Sequence, residues 1–132
     1  MDTKELGNFG ERIACEYLVK KGYKILGKNY RISFGEIDII AKKKFSFFAK
    51  NDKSVHFVEV KTIIGNDDFH PEERVDYKKQ RKLRQMAEIW LEKNKFKQNH
   101  PYQIDVIGIL VNQETRRAKL HYFSNIVEDS PS

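Results

Sequence analysis

The sequence holds a single cysteine, Cys15, so an intramolecular disulfide is impossible and a zinc cluster built from cysteines is excluded. That scarcity fits a reducing compartment. The opening residues MDTKELGNFG offer no basic region followed by an apolar stretch, and no later segment approaches the roughly 20 apolar residues that span a bilayer. Together these absences predict a cytoplasmic chain with no membrane partner. The four histidines, His56, His70, His100 and His121, lack metal-ligand spacing and receive no catalytic task. There is no internal repeat and no linker-like break. At 132 residues the chain has room for one hydrophobic core, so residues 1–132 read as a single domain. Its polar tail, with nothing to bury, should fray from about residue 125.

What is present supports a folded core. Nine Phe, six Tyr and one Trp contribute to an apolar fraction of 39%, which argues against disorder. Lysine and arginine number 25 against 19 acids, giving a net charge of +6, a balance that permits polyanion binding without proving it.

Apolar residues Phe9, Ile13, Ala14, Tyr17 and Leu18 recur at helical spacing and predict a helix from about Asn8 to Lys21, stopped at Gly22. Residues 23–29 and 34–41 read as extended. Residues 42–54, KKKFSFFAKNDKS, read as a strand extension and a protruding hairpin loop. Residues 55–62 form the clearest strand. A second helix is predicted from Pro71, with Glu72 and Glu73 in its first turn and Val75, Leu83, Met86, Ala87, Trp90 and Leu91 on its apolar side. Strands at 103–111 and 118–123 follow, joined by the turn NQETRR. The order helix, three strands, helix, two strands predicts an α/β fold, a central mixed β-sheet flanked by helices.

Two strands carry acids. In HFVEVKT, residues 56–62, the two-residue period puts Glu59 and Lys61 on one face and Val58 and Val60 on the other. In GEIDIIA, residues 35–41, the same period puts Ile37 and Ile39 on one face and Glu36 and Asp38 on the other. If the two strands are hairpin neighbours, Asp38 and Glu59 lie across from each other, and two convergent carboxylates repel unless a cation or proton intervenes. A hard divalent ion, Mg²⁺ or Mn²⁺, resolves that conflict and suits phosphodiester hydrolysis. The competing reading makes these residues edge charges and an ordinary surface ion pair. Glu11 has two readings as well, as a fourth acid leaning over the sheet or as the third helical residue of a capping box with Asn8. Glu36 reads as a rim charge or a further ligand, and Asp105 chiefly as structural.

The run YKKQRKLR spreads Lys78, Lys79, Gln80, Arg81, Lys82 and Arg84 around the exposed surface of the second helix. It is either a solvated face or a track for phosphates. Arg31 either clamps phosphate or caps the sheet edge. Phe45, Phe47 and Phe48 form a core patch, an oligomer contact or a stacking platform for nucleobases.

Taken together, GNFGERIACEYLVKKGYKIL, NYR, GEIDIIA, FVEVKT, VDYKKQRKLRQMAEIWL and QIDVIGI resemble the YraN-like family of uncharacterised bacterial proteins over roughly residues 6–123. That family is placed in the restriction-endonuclease-like superfamily and is similar to archaeal Holliday-junction resolvases. The resemblance implies a restriction-endonuclease-like fold. It makes Glu11 the helix acid, Asp38 and Glu59 the metal ligands, Lys61 the catalytic lysine, and Lys79 or Gln80 the residue approaching the scissile phosphate. It also implies Mg²⁺ or Mn²⁺ as cofactor and DNA, branched or otherwise structured, as substrate, with RNA left open and a homodimer favoured by a branched substrate. The stretch 42–54 is longer than the tight turn the resemblance implies there. Three function classes follow: a metal-dependent endonuclease, a non-catalytic nucleic-acid-binding accessory protein, and a protein-interaction module.

Overall fold

The computed structural model describes residues 1–47, 50–65 and 76–126. The predicted helix start at Pro71, with Glu72, Glu73 and Val75, lies outside the described residues, as do Phe48 and the tail beyond 126.

Helix α1 spans Thr3–Lys20. Its N-cap is Asp2, whose carboxylate accepts the Glu5 amide at 2.7 Å, so the helix begins five residues before Asn8. The capping-box reading of Asn8 and Glu11 is thereby overturned, since both sit inside the helix. The early turns carry few apolar residues beyond Leu6, which is why the hydrophobic period alone starts too late. Lys21 ends the helix, and Gly22 takes φ +92, the left-handed turn that favours glycine.

Strands β1 (Tyr23–Ile32), β2 (Gly35–Lys43) and β3 (Val55–Ile64) pair antiparallel in sequence order. Helix α2 (Tyr77–Lys93) then crosses over to β4 (Tyr102–Asn112), which runs parallel to β3, and β5 (Arg117–Phe123) returns antiparallel on the outer edge. A parallel neighbour requires such a crossover. The sheet order is β1-β2-β3-β4-β5. The β4–β5 turn falls at NQETRR as expected, with Asn112 Oδ1 accepting the amides of Glu114 at 3.0 Å and Thr115 at 3.2 Å. The arrangement is α/β, a central mixed sheet flanked by helices, as the element order predicted. No helix among the described residues is long and apolar enough to cross a membrane.

Each helix buries its apolar stripe on one face of the sheet. Leu83, Met86, Ala87, Trp90 and Leu91 of α2 pack with Ile37, Ile40, Val55, Phe57 and Ile104. On the other face Ala14 and Leu18 of α1 pack with Ile39, Ala41, Val58, Ile107 and Ile109. Ile37 and Ile39, expected on one face, therefore belong to opposite layers: strict alternation holds from Ile39 to Ala41 and breaks across Asp38. The core-patch reading of the loop aromatics is likewise corrected for Phe45 and Phe47, which are exposed.

Gly10 sets how closely α1 lies on β3. A Cβ there would stand 1.8 Å from Thr62 Oγ1, so only a hydrogen side chain permits this approach. The next residue on the helix is Glu11.

Candidate functional site

The break at Asp38 has a backbone cause. Strands β2 and β3 pair from Lys42↔Val55 to Ile39↔Val58 and then diverge, while β2 stays paired with β1 as far as Gly35. Asp38 and Glu59 are the next residue on each strand beyond the last pair, so the acids flank the mouth of a fork. The Val60 amide, past the end of the ladder, donates to Asp38 Oδ2 at 2.8 Å. A β3 backbone donor left without a β2 partner is thus satisfied by a carboxylate, which fixes that carboxylate in place.

Two more acids, Glu11 and Glu36, lie beside the fork. Glu11 on α1 is half-buried and within hydrogen-bonding reach of Asp38, and Glu36 on β2 and Glu59 on β3 lie close enough to perturb both. Burial and the charge of Glu59 push Asp38 up to about 7, against the opposing effect of the Val60 amide, with Glu11 and Glu36 adding to the rise. Burial also raises Glu11, aided by Glu36 and Glu59 and opposed by hydrogen bonds to Asp38 and Asn29. With its side-chain amide turned to donate, Asn29 reaches Glu36 Oε1 at 3.2 Å and the Glu11 oxygens at 3.2 and 3.3 Å. Asn29 holds φ +49 within β1, a conformation asparagine tolerates better than most residues. This bridging asparagine has no counterpart among the residues chosen from sequence; its signal was an asparagine in a strand directly before Tyr30-Arg31.

Cations approach from α2. The Asp76 carboxylate caps the helix by accepting the Lys79 amide at 2.9 Å, and the Lys79 side chain donates to Glu59 Oε1 at 2.6 Å. Burial alone would lower the Lys79 pKa, but the hydrogen bond and charge of Glu59 outweigh it and raise it. Lys61, half-buried, follows Glu59 on the same face of β3. Among the described residues no three His, Cys, Asp or Glu side chains are already gathered to hold a metal ion.

A cleft of about 360 Å³ opens beside these groups, between the β1–β2 turn and the first turns of α2. Phe34 and Glu36 line one wall, and Lys78, Lys79 and Lys82 line the other. Arg31, highly exposed, donates to Glu36 Oε2 at 3.1 Å, so its one observed partner is an acid of the same rim. The basic run is not a single face. Arg81 is exposed and outside the cleft lining, and Arg84 turns toward Tyr102 on β4. Gln80, expected on the surface, is 6% exposed. It falls three residues before Leu83 and seven before Ala87, on the stripe that packs against the sheet, and that spacing was visible in the sequence.

A second polar cluster lies on the α1 side of the sheet. Asp105 is fully buried and accepts from Gln103 Nε2 at 2.8 Å and the Asn125 amide at 2.7 Å; it also accepts from the Tyr122 hydroxyl and meets His56 Nδ1 at 2.6 Å. His56 Nε2 meets Asp52 at 2.6 Å. The network joins β3, β4, β5 and the β2–β3 loop.

The model of a family described as uncharacterised protein family UPF0102 matches residues 10–109. A UPF0102 protein from Caldanaerobacter subterraneus subsp. tengcongensis is 40% identical over 114 residues, 86% of each chain. One from Caldicellulosiruptor bescii is 35% identical over 130 residues, covering 98% of this chain and 99% of that one. One from Clostridioides difficile is 42% identical over 109 residues, 83% and 88% of the two chains. Among solved structures, SfsA from Pyrococcus furiosus in complex with Ca²⁺ aligns with a TM-score of 0.38 at 16% identity, over 96% of this chain and 65% of that one.

Proposed function

The chain belongs to the uncharacterised protein family UPF0102, and since that membership assigns no activity, we propose from its own residues that it is a divalent-metal-dependent endonuclease hydrolysing DNA. The observation that carries this reading is the β2–β3 fork, where Asp38 and Glu59 flank one opening with Glu11 beside them and a lysine-lined cleft alongside. Holding several carboxylates together costs free energy unless a proton or cation neutralises them, and Asp38 already shows that cost as a raised pKa.

The donor set fits a hard cation. Carboxylate oxygens are the ligands Mg²⁺ and Mn²⁺ prefer, and Mg²⁺ sites commonly use only one or two carboxylates beside water and phosphate. Asp38 and Glu59 would hold the ion and Glu11 would reach it through water. When bound, such an ion makes water a better nucleophile and offsets charge developing on the phosphate. The chain's own residues do the remainder. The Val60 amide fixes the Asp38 carboxylate, Asn29 orients Glu11, and Lys61 supplies positive charge toward the phosphate. Lys78, Lys79 and Lys82 hold the DNA backbone along the cleft, contacts that position a substrate without reading its sequence.

The Lys79–Glu59 ion pair favours a second reading, a non-catalytic nucleic-acid-binding protein in which Lys79 takes the place a cation would occupy. Mn²⁺ binding followed by electron paramagnetic resonance, with and without DNA, separates the two. The nuclease reading expects Mn²⁺ to bind the parent, more tightly with DNA present, and to be lost in Glu59→Ala. DNA binding with no Mn²⁺ uptake in any mixture would leave only the accessory reading.

A further inference from the structure

The loop between β2 and β3 carries two exposed rings: Phe47 is 87% and Phe45 69% exposed, more than any other large hydrophobic residue described. The rings meet edge to face, with centroids 4.9 Å apart at 89°. This contact hides little of either ring, and leaving two phenylalanines in water sacrifices the burial that usually stabilises them. Their platform is anchored. The Ser46 amide donates to Asn51 Oδ1 at 2.8 Å and the Ser54 amide to Asp52 Oδ1 at 2.9 Å. The other Asp52 oxygen meets His56 at 2.6 Å, and His56 is held in turn by the buried Asp105.

Charge indicates what the rings would meet. Residues 42–53 contain five lysines and one acid, Asp52, which is already engaged by His56. Lys43, Lys44, Lys50 and Lys53 are exposed. Aromatic rings flanked by ammonium groups suit a polyanion that also offers flat apolar faces, the composition of single-stranded nucleic acid. An anionic membrane would share the charge preference but calls for a broad apolar face, and both helices bury theirs on the sheet.

We infer that the β2–β3 loop is a second nucleic-acid contact, in which Phe45 and Phe47 stack on unpaired bases while the neighbouring lysines hold the flanking phosphates. The loop begins roughly 17 Å further along β2 than Asp38, from the rise per residue of a strand. The substrate of the fork therefore carries a single-stranded stretch. This inference rests on the nuclease reading only for its premise that the substrate is nucleic acid.

The test measures equilibrium binding in EDTA by fluorescence anisotropy, using a labelled oligothymidylate and a labelled duplex. Replacing both rings, Phe45→Ala with Phe47→Ala, is expected to weaken oligothymidylate binding about tenfold or more while duplex binding stays within about twofold. The thermal midpoint should be unchanged, since both rings are exposed. Phe45→Trp with Phe47→Trp should keep the affinity and show fluorescence quenching as oligothymidylate is added, above the constant background of buried Trp90. Unchanged oligothymidylate affinity in the alanine variant, or an equal loss for duplex and single strand, would overturn the inference. So would a tryptophan response to phosphatidylglycerol vesicles without one to oligothymidylate. Metal-dependent cleavage combined with such a failure contradicts this inference alone. Ring-dependent binding without cleavage contradicts the nuclease reading alone.

Discussion

Asp38 illustrates how one residue serves both fold and site. Its carboxylate ends the β2–β3 ladder by accepting the Val60 amide, yet it stands among Glu59, Glu11 and Glu36, which oppose its ionisation. Asp38→Asn retains an acceptor for that amide and removes one of the repelling charges. The metal-free variant is expected to melt at or above the parent's temperature at pH 8, and Mn²⁺, expected to raise the melting temperature of the parent, should not raise that of the variant. A large drop in metal-free stability would mean that the charge itself supports the fold. Lys79 offers the complementary case, since its ammonium occupies Glu59. Lys79→Met should tighten Mn²⁺ binding several-fold while weakening DNA binding. Unchanged Mn²⁺ affinity would show that the two cations do not compete.

At the scale of elements, the position of Glu11 depends on how α1 seats on β3, and Gly10 makes that seating close. Gly10→Ala forces the helix and Thr62 apart and is expected to cost about 1–3 kcal/mol, the usual range for overpacking. Urea unfolding measures this, and an unchanged midpoint would show that the contact yields freely. The elements themselves were largely legible in sequence: the alternation in residues 55–62, the glycine stop at Gly22 and the turn at NQETRR each encode a local rule that the fold obeys. What was not legible depended on neighbours. The divergence of β2 from β3 separates Ile37 from Ile39, and no count along one strand reveals where a partner strand leaves. The start of α1 rests on a polar cap at Asp2 rather than on an apolar period. The site acids were visible as residue types on two strands and a helix, whereas the bridging Asn29 and the Lys79–Glu59 contact follow only from the packing of separate elements.

For the whole molecule, the network of buried His56 and Asp105 with half-buried Asp52 ties the central strands to the β2–β3 loop and gives stability a pH dependence. Burial alone would lower the His56 pKa, but Asp105 and Asp52 outweigh it and raise it. Burial would raise Asp105, but its hydrogen bonds to His56, Tyr122, Asn125 and Gln103 lower it. A raised histidine stabilises fully below its unfolded value, about 6.5, and loses that contribution as pH rises through its folded pKa. A lowered aspartate stabilises above its unfolded value, about 3.9, and loses that contribution as pH falls through its folded pKa. The stability difference between parent and His56→Gln should therefore be greatest between about pH 4 and 6.5 and shrink toward alkaline pH, as read by thermal unfolding across pH. A difference independent of pH would remove the ion pairs from the account. On the proposed function the net charge of +6 would act on the same scale, through phosphate contacts. Replacing Lys78 and Lys82 together by alanine should reduce the salt dependence of DNA binding by about two units of log K per log salt, one for each lost contact.

The most direct test of the central claim is product formation from a panel of end-labelled single-stranded, duplex, flap and four-way DNA with Mn²⁺, run beside Glu59→Ala. The parent should cleave at least one member, Glu59→Ala should cleave none while still binding DNA, and EDTA should stop the reaction. Equal cleavage by parent and Glu59→Ala would contradict the assignment of the site. A parent that binds these DNAs and cleaves none of them would contradict the claim that the fork is a nuclease centre.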